Sequence, residues 1–253
     1  MLLSLAVLVL VVLAAEVGLR VALRWPARDP RSDGLVAGVQ GAILGLVSLV
    51  LAFSFSFAAD RYVLRRQLVV QEANTLSTAY LRADLLEPID ARVVRDDIRG
   101  YATSRLLVYE DPDAPGAARA REESSRLARD LWSRVAASTI RDPRPQRSAP
   151  ELTALSSVFD ADTAALDAEM DRLPLAIVLI VLVAAPLAGA TVGAAFGRVG
   201  QRGRVVVAAF AVLVGLVVLS IVDLDDARLG NIRTDLSALR STVDTMAPAR
   251  AAP

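Results

Sequence analysis

Phe53, Phe57, Asp60, Gln67, Gln71 and Asn74 are the residues whose types and spacing could do chemistry in this chain, and that chemistry would be permeation. At 3.6 residues per turn they share one helical face with Leu64 and Thr78. Around an axis formed by several such helices, the two phenylalanines would make an apolar neck, and the polar row a vestibule beneath it. Apolar constrictions gate ions by dewetting. The plainer alternative has the phenylalanines in lipid and the polar row in water. The stretch that carries them, LAFSFSFAADRYVLRRQLVVQEAN (51–74), opens with a strand-like alternation. A lone strand edge in lipid would leave its backbone groups unpaired, so the spacing predicts a helix.

Catalysis has little to build on. The chain has no Cys and no His, which removes thiol nucleophiles, imidazole bases, disulfides and the zinc sites made from those residues. Ser54 and Ser56 have no histidine to activate them. Gly197, Gly200 and Gly203 follow neither the Rossmann nor the Walker spacing. Asp223, Asp225 and Asp226 could offer oxygens to a hard cation such as Ca2+, but they lie in no rigid loop, and a solvated helix end is the competing reading. No enzyme, cofactor or metal site is predicted.

The elements that must position the α-helical face follow from hydropathy. Of 253 residues, 54% are hydrophobic and only 5% aromatic, so Leu, Val and Ala make the excess. The mean hydropathy of +0.46 is too high for an ordinary soluble domain. Net charge is zero and all 28 basic residues are Arg, which gives none of the basic excess of a nucleic-acid binder. Four apolar runs, 2–25, 35–59, 173–196 and 205–222, are each long enough to cross a hydrocarbon core of about 30 Å. The third has Pro174 in its first turn and Pro186 inside. The first predicts a retained membrane helix. Its rival is a signal peptide cleaved near Ala14 or Ala15, for which a basic leading segment is missing. Glu16 and Arg20, four apart, predict an ion pair.

The expected organisation is all-α. Residues 1–59 hold the first and second spans, 60–172 a helical extramembrane domain, 173–223 the third and fourth spans, and 224–253 a tail. The tail has a short amphipathic stretch and a disordered Ala/Pro end. The domain is strongly charged, with 17 Arg against 20 Asp and Glu. Breaks at Glu87-Pro88, at 111–116 and at 142–150 divide it into helices over 60–86, 88–109, 117–139 and 151–172, the last running into the third span. No proline or glycine separates the second span from 60–86. One helix from Leu35 to Leu86 is predicted, about 75–80 Å long.

A heptad seam follows that helix: Gly38, Gly45, Ala52, Ala59, Arg66, Ala73 and Tyr80, with Gly41, Ser48, Phe55, Tyr62, Val69, Leu76 and Ala83. In the membrane its small residues would let helices approach closely. Beyond the membrane the larger ones suit a coiled coil. Gly189-x3-Gly193-x3-Gly197 repeats the small-residue device on the third span. Assembly of several copies and packing within one subunit both account for these glycines.

Residues 44–86 resemble the signature of the bestrophin-like family of prokaryotic membrane proteins. Arg66, Leu68, Val69, Glu72, Ala73 and Asn74 match its R-x-L-V-x-x-E-A-N element, and Thr78, Tyr80, Leu81 and Arg82 its T-x-Y-L-R element. A second match, Val222 to Arg233 against L-D-L-D-R-P-F-x-G-x-I-R, lacks the Arg-Pro-Phe core. The resemblance implies a similarity to bestrophins, pentameric anion channels whose second span lines the pore with an apolar neck. It implies a homo-oligomer in the bilayer of the bacterial plasma membrane, with the large domain in the cytoplasm. Arg28, Arg31, Arg198, Arg202 and Arg204 in the short loops argue for the opposite sidedness, while Arg61, Arg65 and Arg66 flank the other side. The rival function is a non-conducting scaffold or sensor whose helical domain binds a protein partner.

Overall fold

Helix-forming sequence runs almost without interruption between proline-marked breaks, and every regular element among the described residues is helical. A computed structural model describes residues 2–24, 30–111, 114–141, 145–196, 201–225 and 234–246. Its helices are α1 (Leu2–Arg24), α2 (Pro30–Arg82), α3 (Pro88–Glu110), α4 (Ala117–Arg141), α5 (Pro145–Met170), α6 (Leu175–Phe196), α7 (Gln201–Asp225) and α8 (Ser237–Met246). A single 3-10 turn, Ala83–Leu85, ends α2. Helices α1, α2, α6 and α7 are long and apolar enough to cross a membrane. At 53 residues, α2 extends about 80 Å, well beyond the hydrocarbon core. The disordered Ala/Pro end expected of the 224–253 tail, Gly197, Arg198, Gly200, Arg28 and the Asp226–Arg233 part of the second family match lie outside the described residues.

The chain divides into two compact units. The first comprises residues 1–62 and 172–233. Its core joins Val7 and Val11 of α1, Val47, Leu51 and Ala58 of α2, Ala185 and Ala188 of α6, and Val214, Val218 and Ile221 of α7. The buried hydroxyls inside the spans are satisfied by their own helices, as lipid demands. Ser54 donates to the Val50 carbonyl at 2.8 Å and Thr191 to that of Leu187 at 2.7 Å. Arg20 and Glu16 pair at 2.9 Å.

Helices α1 and α6 run parallel with their backbones nearly in contact. A Cβ at Gly193 would lie 2.0 Å from the Ala15 carbonyl oxygen, one at Gly18 2.1 Å from that of Ala190, and one at Gly189 2.8 Å from that of Val11. Gly38, Gly41 and Gly45 differ: among the described residues nothing lies within 4 Å of an added Cβ. The two sets of glycines therefore predict different phenotypes. Gly193→Leu should force backbone apart, at a cost of about 1–3 kcal/mol or more, and lower thermal stability in detergent. Gly41→Leu with Gly45→Leu should leave the subunit's stability alone; if copies of the chain assemble on this face, it changes oligomer size, read by light scattering. Equal loss of stability from both would overturn the distinction.

The second unit comprises 63–171 and 234–253. Val69, Ala73, Leu76 and Ala79 of α2 pack with Val94, Ile98 and Tyr101 of α3, Leu131 and Val135 of α4, Leu155 and Val158 of α5, and Leu239 and Met246 of α8. The α8 helix is further held by Arg240 to Glu110 at 2.6 Å and by the Tyr80 hydroxyl, which donates to the Met246 carbonyl at 3.2 Å.

Three expectations are corrected here. The last domain helix does not run into the third span: residues 171–174 are non-helical. Pro174 disfavours a helical Leu173, and the Leu173 amide donates instead to Asp225 Oδ1 at 3.0 Å. That helix also starts at Pro145 rather than at 151. Proline suits a first helical position, because its fixed φ is already helical and no N–H is needed there. Pro150 is absorbed inside the helix at the loss of one hydrogen bond. Finally, the outer half of the heptad seam is not open to a second copy as a coiled coil. Val69, Ala73, Leu76 and Ala83 are filled by this chain's own core.

Candidate functional site

Helix α2 turns one face into each unit and leaves another bare. In the first unit Val47, Leu51, Ser54 and Ala58 are buried. Phe53 and Phe57, on the other side, are 57% and 50% exposed. Phe55 is exposed as well, and so are Gly38, Gly41, Gly45 and Asp60. In the second unit Val69, Glu72, Ala73 and Leu76 are buried, while Gln67, Gln71, Asn74 and Thr78 are exposed. Thr78 is tied back to the Asn74 backbone carbonyl at 2.9 Å. Gly189 and Gly193 are in neither group, being buried on α1. Asp225 is engaged at Leu173, and among the described residues no three acidic side chains gather as a metal would require.

The buried face of the second unit holds a charge network. Glu72 is fully buried and Arg105, on α3, is 3% exposed. Arg105 Nε donates to Glu72 Oε1 at 2.8 Å and Nη2 to the Tyr109 hydroxyl at 2.9 Å. Tyr109 in turn donates to Glu72 Oε2 at 2.7 Å. Asp162 of α5 approaches Arg105 Nη2 at 2.6 Å. Burial alone would pull the Arg105 guanidinium down, but Glu72, Tyr109 and Asp162 hold it above its usual range. Burial pushes Asp162 up, against the lowering effect of Arg105. Burial and then the Glu72 charge push Tyr109 up, so it stays a donor. The result is a rigid tie between α2, α3 and α5 beneath the exposed polar row.

The profile of the bestrophin-like domain matches residues 9–239, nearly the whole chain. This chain belongs to the bestrophin-like family. Among solved structures, a bacterial bestrophin homologue from Klebsiella pneumoniae shares the fold of this bestrophin-like protein with a TM-score of 0.68. The identity is 15%, over 96% of this chain and 95% of that one. A crystal structure of a membrane protein variant gives a TM-score of 0.69 at 15% identity, over 97% and 96% of the two chains. No curated protein matches by sequence.

The bestrophin-like motif residues divide between the two faces of α2. Val69, Glu72 and Ala73 point into the second unit, whereas Arg66 and Asn74 are exposed. Arg66 lies 3.9 Å from Asp235. Tyr80 carries the Arg95 guanidinium over its ring at 4.3 Å, and Arg82 donates to the Pro150 carbonyl at 3.1 Å. Sequence reasoning missed Arg105, Tyr109, Asp162 and Glu151. A signal existed for Arg105: Val94, Ile98, Tyr101 and Val108 mark the inward stripe of α3, and Arg105 falls within it. An arginine on an apolar stripe calls for a buried acid.

Proposed function

We propose that this protein is an oligomeric ion channel of the bacterial plasma membrane, with α2 of each copy lining the pore. The observation that carries this reading is the bare face of α2. Phe53 and Phe57 lie outside the chain's own core, in line on one uninterrupted helix with Asp60, Gln67, Gln71 and Asn74. Lipid would accept the phenylalanines alone. A polar row continuing the same face, together with exposed Gly38, Gly41 and Gly45, favours further copies of the chain around an axis. The resemblance to bestrophins supports the same arrangement.

The ion's sign is open to a physical argument. The resemblance implies anions, yet Asp60 is the one ionisable residue in this row. A ring of carboxylates below the neck attracts cations and repels anions. Under a KCl gradient in planar bilayers, the reversal potential should lie on the cation side, and Asp60→Asn should move it toward zero. Flux of K+ or Cl− in liposomes tests the channel itself. No flux from folded, oligomeric protein would leave the scaffold or sensor reading, in which the helical unit binds a partner.

A further inference from the structure

Glu151 has no part in the network around Arg105 or in the exposed face of α2, yet it is a carboxylic acid with no exposed surface. Among the described residues neither of its oxygens has a hydrogen-bond partner. It follows Pro150, the proline inside α5, where the helix already lacks one bond. Arg82, at the end of α2, gives its Nη1 to the Pro150 carbonyl rather than to the carboxylate beside it.

We propose that Glu151 is a protonation latch: neutral, it holds the amino-terminal half of α5 against the end of α2, and ionised, it releases it. Among the described residues, the charged groups on the other elements packed against it are engaged elsewhere. The 3-10 turn packed on α5 carries Asp84, which Arg95 of α3 holds at 2.6 Å. Helix α4, also packed on α5, carries Arg134, held by Asp97, and Arg141, held by Asp90, both at 3.1 Å. Among the described residues Arg82 is the charge that acts on Glu151, and it lowers the carboxyl less than burial raises it, leaving it at about 8.

The sign follows. The folded group binds its proton more tightly than an open carboxyl near 4.5 does. Its stabilising effect is therefore complete below about 4.5, erodes as pH rises toward 8, and is gone above that value. A bacterial cytoplasm or periplasm passing from neutral to alkaline would cross the upper part of that window.

Hydrogen exchange on the full-length protein in detergent tests the latch, with labelling times scaled for intrinsic exchange. Peptides covering 150–160 should open roughly ten- to thirtyfold more readily at pH 9 than at pH 6.5. Peptides from α6 serve as the control and should not change. Glu151→Gln, which keeps the neutral shape, should abolish the acceleration, and so should Glu151→Met. Arg82→Gln should shift its midpoint upward, because the charge that eases ionisation is gone. Exchange in 150–160 that is independent of pH in the wild type would overturn the proposal. So would an acceleration that survives in both Glu151 variants.

Discussion

Arg105→Ala should destabilise the second unit by about 3–5 kcal/mol, the usual consequence of removing one member of a buried ion pair. The reason is what stays behind. Glu72 is fully enclosed and would keep only the Tyr109 hydroxyl as a donor. Asp162 would lose the cation that lowers it. Glu72, enclosed, and Asp162, a quarter exposed, would then have lost the cation they share. The expected readout is thermal or denaturant unfolding followed by circular dichroism, with a fall in melting temperature of roughly 6–20 °C for a chain of this size. A control separates the charge from the packing. The triple variant Glu72→Gln/Arg105→Met/Asp162→Asn removes all three charges at similar volume and should recover most of the loss, because a neutral, filled core avoids the desolvation cost of the network. An Arg105→Ala protein within 0.5 kcal/mol of wild type would mean that water reaches the pair and that the tie between α2, α3 and α5 is not dry.

The second large effect concerns permeation. Phe53→Ala with Phe57→Ala should raise ion flux in liposomes by an order of magnitude or more. In the proposed pore, a phenylalanine ring at each position excludes water, and an ion passing it gives up hydration without compensation, a barrier of several kcal/mol. Removing about 1.4 kcal/mol of that barrier is a tenfold change in rate. Alanine at both sites widens and wets the neck. Fold stability should be nearly unaffected, because both rings lie outside the subunit's core. Phenylalanines that merely face lipid predict the reverse pattern: permeability unchanged, with any change confined to stability. Single-channel recording adds a second check, since a wetted neck raises conductance rather than open probability alone. Flux equal in wild type and double variant, with oligomer size preserved, would place the phenylalanines away from any axis.

How much of this was legible in the sequence depends on the range of the interactions involved. Four spans, and the uninterrupted run of α2 through Phe53, Phe57 and Asp60, follow from hydropathy and from the missing proline and glycine. Both are properties of neighbouring residues, and solvent or lipid acts on them without regard to the rest of the fold. The division of α2 into faces was legible in part. Helical geometry put Phe53, Phe57, Asp60, Gln67, Gln71 and Asn74 in one row, but it could not say that the core lies on the opposite side. The heptad seam shows the limit: Gly41 and Gly45 are bare, while Val69 and Leu76, on the same seam, are buried by α3 and α5. Periodicity names a stripe, and only the partner decides what covers it.

The buried charges lay further out of reach. Glu72 and Arg105 are 33 residues apart; Tyr109 lies one turn beyond Arg105 on α3, and Asp162 comes from α5. Nothing local marks Glu72 as different from the exposed acids around it. The desolvation that sets it apart arises only when three helices close over it. The same holds for Glu151, whose neighbours in sequence, Pro150 and Leu152, carry no charge. Composition and local pattern determined that this chain enters a membrane and that α2 is one helix. The tertiary structure decided which of its carboxylates lost their water, because desolvation is a property of the packed surroundings and not of the residue.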